Sequence, residues 1–478
     1  MLPESGVGNL QDKVTETEEY SLKLSEKKAE IAATPARKRL TALFDEGSFT
    51  ELDAFARHGG DSVEVVCGFG TVDGSPVYAF SQDGTVKGGA IGRAQALKIK
   101  KVYDLAVKTG APVVGIYDSN GLYLGDGIES LAACSDMLRL SDDVSGVVPR
   151  VSVIAGPCGG TLAMIAEGAD IVIMSEKAEF FMTAPDVVRA QDQDAVTGTA
   201  DACAESGLTH LTAEDDIDAV AKARLVLSRL PLNNLSTAPI AEFAAPAASP
   251  AAGEPAGKAI AGIADDASVI ELQPSFGKNA VTALATVNGS SVGFVAYDGA
   301  VDSDACIKAA RFVSMCDAFS IPVVTLVNST GYENTPCAEK GGMLRRAAQL
   351  SHVYAQATTP MVSVITGDAY GAVYMTLAGR AANADLVYAW EGAAISALAP
   401  EAAVSILWNE RLASGEKRDA LAAEYRDTAA SPFEAAASGA LDGVIEPAET
   451  RAAVIAALDT LCGKRVPTLA RKHTNMPL

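Results

Sequence analysis

PRVSVIAGPCGGTLAM, running from Pro149 to Met164, is answered 211 residues later by PMVSVITGDAYGAVYM, from Pro360 to Met375. Each copy begins with a short β-branched run, Val151 to Ile154 and Val362 to Ile365, of the kind that fills a buried parallel strand. Each then breaks at glycine, at Gly156, Gly159 and Gly160 in the first copy and at Gly367 and Gly371 in the second. A tight turn suits residues without a Cβ. After the last glycine no charge intervenes until Glu167 or Arg380, which predicts a packed helix. The first residues of such a helix present backbone N–H groups with no intrahelical acceptor, beside the positive end of the helix dipole. The pattern predicts two strand–turn–helix anion sites built from backbone alone. One glycine turn by itself indicates only close helix–strand packing; two matched copies carry more.

The match extends outward. LAVKTGAPVVGIYDSNG (Leu105 to Gly121) corresponds to MCDAFSIPVVTLVNSTG (Met315 to Gly331), with Pro112 and Pro322 separated by 210 residues. TVDGSPV (Thr71 to Val77) corresponds to TVNGSSV (Thr286 to Val292), and ADIVIM (from Ala169) to ADLVYA (from Ala384), both at an offset of 215. The chain is a tandem duplication, and strands alternating with helices in both halves predict an α/β fold. Two similar domains are expected, residues 1–235 and 259–478, joined by an Ala/Pro-rich linker over residues 236–258 that lacks periodicity. At 478 residues and 49% hydrophobic composition, the chain can bury a core in each.

A formal net charge of −22 opposes binding to nucleic acid or to an anionic membrane, both of which rely on basic patches. The eight cysteines form no CxxC pair and no charged-then-apolar leader opens the chain, so a reducing cytoplasm is expected. A long uncharged run, Ala280 to Tyr297, has Asn288 and Gly289 at its middle and reads as strand, turn and strand. Asp73 and Gly74 predict the matching hairpin in the first half. Glu16 to Ala33 reads as a solvated helix, and DEGSF as a helix stop at Gly47. The glycine loop GGAIG, with Gly88 and Gly89, precedes a helix whose apolar face is Ala96, Ile99, Val102 and Leu105 or Ala106. In so acidic a chain, Arg93, Lys98, Lys100 and Lys101 are the local candidates for phosphates, a solvated lysine face being the simpler reading. A helix is expected from Lys308 to Phe319, and an Ala-rich helical region after Pro400.

The four histidines, at 58, 210, 352 and 473, sit in unrelated contexts without a nucleophile motif, and no spacing fits a metal. Two backbone oxyanion holes remain, which suit a reaction that makes two separate oxyanions or enolates.

The phrases GTVDGSPVYAFSQD, GGAIG, APVVGIYDSNG, GPCGG, APDVV, KAARFVSMCDAFSIPVVTLV, AYGAVY and KHTNMPL together resemble the carboxyltransferase subunit of biotin-dependent acyl-CoA carboxylases, the propionyl-CoA carboxylase β type, and the α subunits of biotin-dependent decarboxylases such as the methylmalonyl-CoA enzymes. The resemblance runs from Thr34 to the C-terminus. It implies a duplicated crotonase-like (ClpP/crotonase) fold of two ββα-superhelix domains, with acyl-CoA on the N-terminal domain and biotin, carried on a partner protein, on the C-terminal one. The site would lie between one subunit's N domain and another's C domain, in a dimer or a trimer of dimers, the latter a homohexamer. Implied partners are a biotin carboxyl carrier protein and a biotin carboxylase or membrane decarboxylase subunit. By position, the thioester hole falls at Gly160 and Thr161 and the biotin hole at Ala372 and Val373. Tyr370 and Gly371 flank the latter, Met375 takes the family position associated with acyl-chain selectivity, just after the tyrosine of the second turn, and Gly88, Gly89, Lys98 and Lys101 would serve coenzyme A. Three departures stand out: Thr161 and Ala372 replace glycines, and the family's DSGGAR is DSNGLY, with Tyr123 at the arginine's place. Alternative readings are the reverse half-reaction in a sodium-pumping decarboxylase, a biotin-independent crotonase-type hydratase or hydrolase using Asp126 or Glu129, and a non-catalytic scaffold.

Overall fold

The computed structural model describes Lys23, residues 34–467, residue 470 and residues 473–477; apart from Lys23, the helix expected over Glu16 to Ala33 lies outside them. Both two-residue turns form as composition requires. Asp73 and Gly74 have φ of 49° and 78°, Asn288 and Gly289 of 52° and 78°, the mirror-image turn whose twist suits antiparallel strands. They join Val65–Val72 to Ser75–Gln82 and Ala280–Val287 to Ser290–Val301.

Each hairpin starts a mixed sheet. In the first, Thr50–Leu52 lies outside the hairpin, and parallel strands continue through Val113–Tyr117, Arg150–Ile154, Ile171–Ser175 and Leu211–Ala213. The second repeats the order with Ile270–Leu272 outside its hairpin, then Val323–Tyr332, Met361–Tyr370, Leu386–Trp390 and Gly443–Ile445. A short strand beyond each sheet pairs with the glycine turn: Glu179–Phe181 on Pro157–Gly159, and Ala394–Ser396 on Asp368 to Tyr370. These are two similar domains, the duplicated plan of a crotonase-like fold.

Side-chain alternation explains how the sheets stack. Val65, Val113, Val172 and Met174 face a core private to the first half, and Phe294, Val324, Val362 and Val364 one private to the second. The opposite faces meet: Val114, Val151, Val153 and Ile173 share one core with Val295, Phe312, Val323 and Ile365. Each half thus has its own core, one core is shared, and a smaller cluster around Tyr370, Val404 and Leu421 packs beside the second turn.

Several boundaries differ from the sequence reading. The helix expected from Lys308 starts at Ser303, because Asp302 caps it by accepting the Ala305 N–H at 2.7 Å. Pro35–Leu43 stops before Gly47, which serves a turn instead. Residues 231–255 hold no helix or strand, but helix Ala256–Ile263 already occupies 256–258. Asp298 accepts its Ala256 and Gly257 N–H groups at 2.8 and 3.0 Å.

Candidate active site

The three glycines of the first turn have three different causes. A Cβ at Gly156 would stand 2.2 Å from Asp118 Oδ1, and one at Gly159 would stand 2.3 Å from the Phe181 ring. Gly160 is needed for its backbone, with φ 63° and ψ −134°, and open space where a Cβ would point. In the second copy Gly367 abuts Asn328 Oδ1 at 2.1 Å from its notional Cβ, and Gly371 takes φ 55°. Asp118 and Asn328 are themselves equivalent by the 210-residue repeat.

The donors are offset from the glycines. Gly160 N–H donates to Phe181 O at 3.0 Å, and Gly371 N–H to Ser396 O at 2.9 Å. Both amides hold the turn to its short strand. The first in-helix bonds come from Met164 N to Gly160 O and from Met375 N to Gly371 O, at 3.2 and 3.3 Å. Between them lie the first-turn amides that no helical carbonyl can take: Thr161, Leu162 and Ala163 in one copy, Ala372, Val373 and Tyr374 in the other. The first-turn amides nearest the turn are thus those of Thr161 and Leu162, one residue beyond the Gly160 and Thr161 read from the sequence, and they match Ala372 and Val373 across the repeat. Leu162 could have been found from sequence, since it stands opposite Val373 at the 211-residue offset.

The copies diverge past the turn. Thr161–Glu167 is an α-helix, whereas Tyr374–Ala378 is wound as a π-helix, with Gly379 N–H reaching Tyr374 O at 2.7 Å. Beside it lies a groove of about 780 Å³ lined by Gly371, Tyr374, Met375, Ser396, Ala397 and Ala435 among others. Residues 429–440 form its far wall, and Tyr374 is fixed by donating its hydroxyl to Ala440 O at 2.8 Å. Arg426, which sequence reasoning missed, braces the turn from helix Arg418–Asp427 by donating to Asp368 Oδ1 at 2.7 Å and Tyr370 Oη at 3.1 Å. Burial pushes the Tyr370 phenol well up from its ordinary range.

On the first half, Gly88 and Gly89 both have φ of 64°, and a Cβ at Gly89 would overlap Asp118 O at 2.1 Å. They pack the loop 83–92 against the loop 118–127 at the carboxyl ends of the parallel strands. The basic cluster does not converge. Lys98 is buried and donates to Val65 O at 3.0 Å, so its ammonium is turned away from solvent and from any phosphate. Lys101 meets Asp53 at 2.8 Å, Lys100 meets Asp104, and Arg93 meets Glu129 at 3.5 Å. Lys308, the equivalent of Lys98 in the repeat, is likewise buried among the carbonyls of Gln273, Phe276 and Ala280. Asp126 accepts the Arg93 N–H at 3.0 Å, which holds its carboxyl below the usual range against the opposing effect of burial.

Comparison with known proteins accords with this architecture. Residues 32–476 match the carboxyl transferase domain family. The chain is 36% identical over 479 residues to the methylmalonyl-CoA decarboxylase subunit alpha of Veillonella parvula, covering 93% of each. It is 37% identical over 478 residues to the propionyl-CoA carboxylase beta chain of Cereibacter sphaeroides, again covering 93% of each. Among solved structures, transcarboxylase 12S with methylmalonyl-coenzyme A and methylmalonic acid bound superposes with a TM-score of 0.87 at 35% identity, each chain covered in full. With paired glycine turns on duplicated sheets and a family match spanning almost its whole length, the chain belongs to the carboxyl transferase family.

Proposed function

We propose that this chain transfers a carboxyl group between biotin on a carrier protein and the α-carbon of a short acyl-CoA, acetyl- or propionyl-CoA giving malonyl- or methylmalonyl-CoA. The observation that carries the reading is the pair of equivalent helix starts, each with first-turn amides that no helical carbonyl takes, one of them opening on a wide groove. When bound, biotin supplies the carried carboxyl and the ureido nitrogen that takes the α-proton of the thioester. The chain's own contribution is electrostatic. Thr161 and Leu162 N–H receive the thioester oxygen as its α-carbon is deprotonated, and Ala372 and Val373 N–H receive the ureido oxygen. Gly88 and Gly89 shape the coenzyme A mouth, and Tyr370, Gly371 and Met375 shape the biotin groove.

The reverse transfer, in a decarboxylase whose partner spans the membrane, uses the same two holes; relatives of both kinds match this chain. A crotonase-type hydratase has less support, because Asp126 is engaged by Arg93 N–H and His58, and Glu129 is exposed and paired with Arg93. The transcarboxylase 12S relative is a hexamer, and we propose a dimer or trimer of dimers here, in the cytoplasm, served by a biotin carboxyl carrier and a biotin carboxylase or decarboxylase partner. Incubation with methylmalonyl-CoA and free biotin, without added metal, is expected to release propionyl-CoA in a biotin-dependent manner. Release of free coenzyme A regardless of biotin would identify a hydrolase and overturn the proposal.

A further inference from the structure

His58, from an unremarkable sequence context, lies at the centre of a polar cluster in the first half. Its Nδ1 is 2.6 Å from Glu64 Oε1 and its Nε2 is 3.3 Å from Asp126 Oδ1. Glu64 is wholly enclosed, and its Oε2 has no partner, so His58 is its principal compensation. Lys87 donates to the His58 carbonyl at 2.7 Å and stands 3.5 Å from Glu64 Oε1 and 3.9 Å from Asp61. Tyr123 closes the cluster: its ring meets the imidazole edge-on at 4.8 Å, and Lys87 Nζ lies 5.2 Å from its centroid. Gly92 makes the approach possible, since a Cβ there would stand 2.4 Å from Asp126 Oδ2 and 3.2 Å from His58 Cε1.

The cluster gathers the hairpin Arg57–His58 with Asp61–Ser62 and Glu64 just after it, the loop 83–92 and the loop 118–127. The last of these is tied to the thioester turn, because Ser119 N–H donates to Pro157 O at 2.7 Å and Asp118 fills the space at Gly156. It is also laced to the loop 83–92, through Ile91 N to Gly121 O at 2.7 Å and Tyr123 N to Ile91 O at 2.8 Å. We propose that His58 is a positioning residue for the acyl-CoA side: held by Glu64 and Asp126, it fixes Tyr123 and the loop 118–127 against the thioester turn and thereby sets acyl-CoA affinity. This rests on the carboxyl-transfer reading, in which that turn receives the thioester. His58 touches no reacting atom. The biotin groove is lined from the other half of the chain, so the proposal assigns the cluster no role in biotin affinity.

The test uses the full chain and the transfer from methylmalonyl-CoA to free biotin, with His58→Asn, Tyr123→Ala and Tyr123→Phe. His58→Asn and Tyr123→Ala are expected to raise KM for methylmalonyl-CoA about tenfold while KM for biotin and kcat stay within about twofold. Tyr123→Phe keeps the ring and should retain the wild-type KM. Because His58→Asn strips the buried Glu64 of its partner, folding is checked by thermal melts, and Tyr123→Ala carries the test if that variant does not fold. An unchanged acyl-CoA KM in folded variants, or an equal rise in both KM values, overturns the proposal. If the wild type shows no transfer, the carboxyl-transfer reading fails instead; calorimetric titration of wild type and Tyr123→Ala with methylmalonyl-CoA then decides this one, equal affinities refuting it.

Discussion

At the scale of the residue, the two turn glycines do separable jobs. Gly160 has a positive φ that disfavours any L side chain, and the position of its absent Cβ faces open space. In Gly160→Val the branched side chain would fill that space and tilt the Thr161 and Leu162 amides. Acyl-CoA turnover is expected to fall about 10²- to 10³-fold, the usual consequence of losing an oxyanion donor, with KM for biotin unchanged. Gly371→Val should instead damage the biotin side, doubly so because its Cβ would lie 3.0 Å from Ala397 O at the groove wall. Steady-state kinetics with each substrate varied in turn separates the two. A matched loss in both substrates, with lowered melting temperatures, would mean that the glycines only pack the helices.

Among elements, helix Ser303–Ala318 carries a lysine whose environment makes a pH prediction. Lys308 is buried against three carbonyls, and burial pulls its ammonium down to about 8 from 10.5. Between those values the unfolded chain holds a proton that the folded chain has released, so raising the pH across this window favours folding. Urea titrations at pH 7.5 and pH 10 are expected to show this gain in the wild type and to show less of it in Lys308→Met. Helix Arg418–Asp427 makes a second prediction. Arg426 braces Asp368 and Tyr370 just before Gly371, a bond without counterpart in the first copy, where Pro157 and Gly159 hold the equivalent positions. Since the pair is partly exposed, its loss in Arg426→Met should cost only about 1 kcal/mol and about fivefold in KM for biotin. KM for acyl-CoA should stay at the wild-type value; a shift there would assign Arg426 to general stability.

For the whole molecule, the shared core makes the two halves one folding unit. Arg311 of the second half binds Glu167 of the first at 2.5 Å and also donates to the Glu167 and Ala169 carbonyls. Both halves leave large apolar side chains exposed near their site loops: Leu124, Ile128 and Leu131 in one, Leu344, Ile406 and Leu407 in the other. Pairing one subunit's first half with another's second would cover them. Light scattering is expected to find a dimer or hexamer, and Ile128→Asp to give smaller species with reduced transfer. A fully active monomer would refute this assembly.

The duplication, the two hairpins and the glycine turns were legible in the sequence because each depends on local constraints: a two-residue turn needs positive φ, a buried strand needs β-branched residues, and a repeat preserves both. Lys98 was misjudged for the opposite reason. Helical periodicity cannot see that the Val65 carbonyl, 33 residues earlier, waits for its ammonium. Likewise, only the tertiary structure decided which turn amides are free, since Phe181 and Ser396 take the Gly160 and Gly371 N–H groups from strands more than twenty residues on. The His58 cluster joins residues up to 68 positions apart, and the shared core joins the two halves. Sequence alone determined the local shapes that every neighbourhood must adopt; partners distant along the chain, brought together by packing, decided which polar groups those shapes leave available.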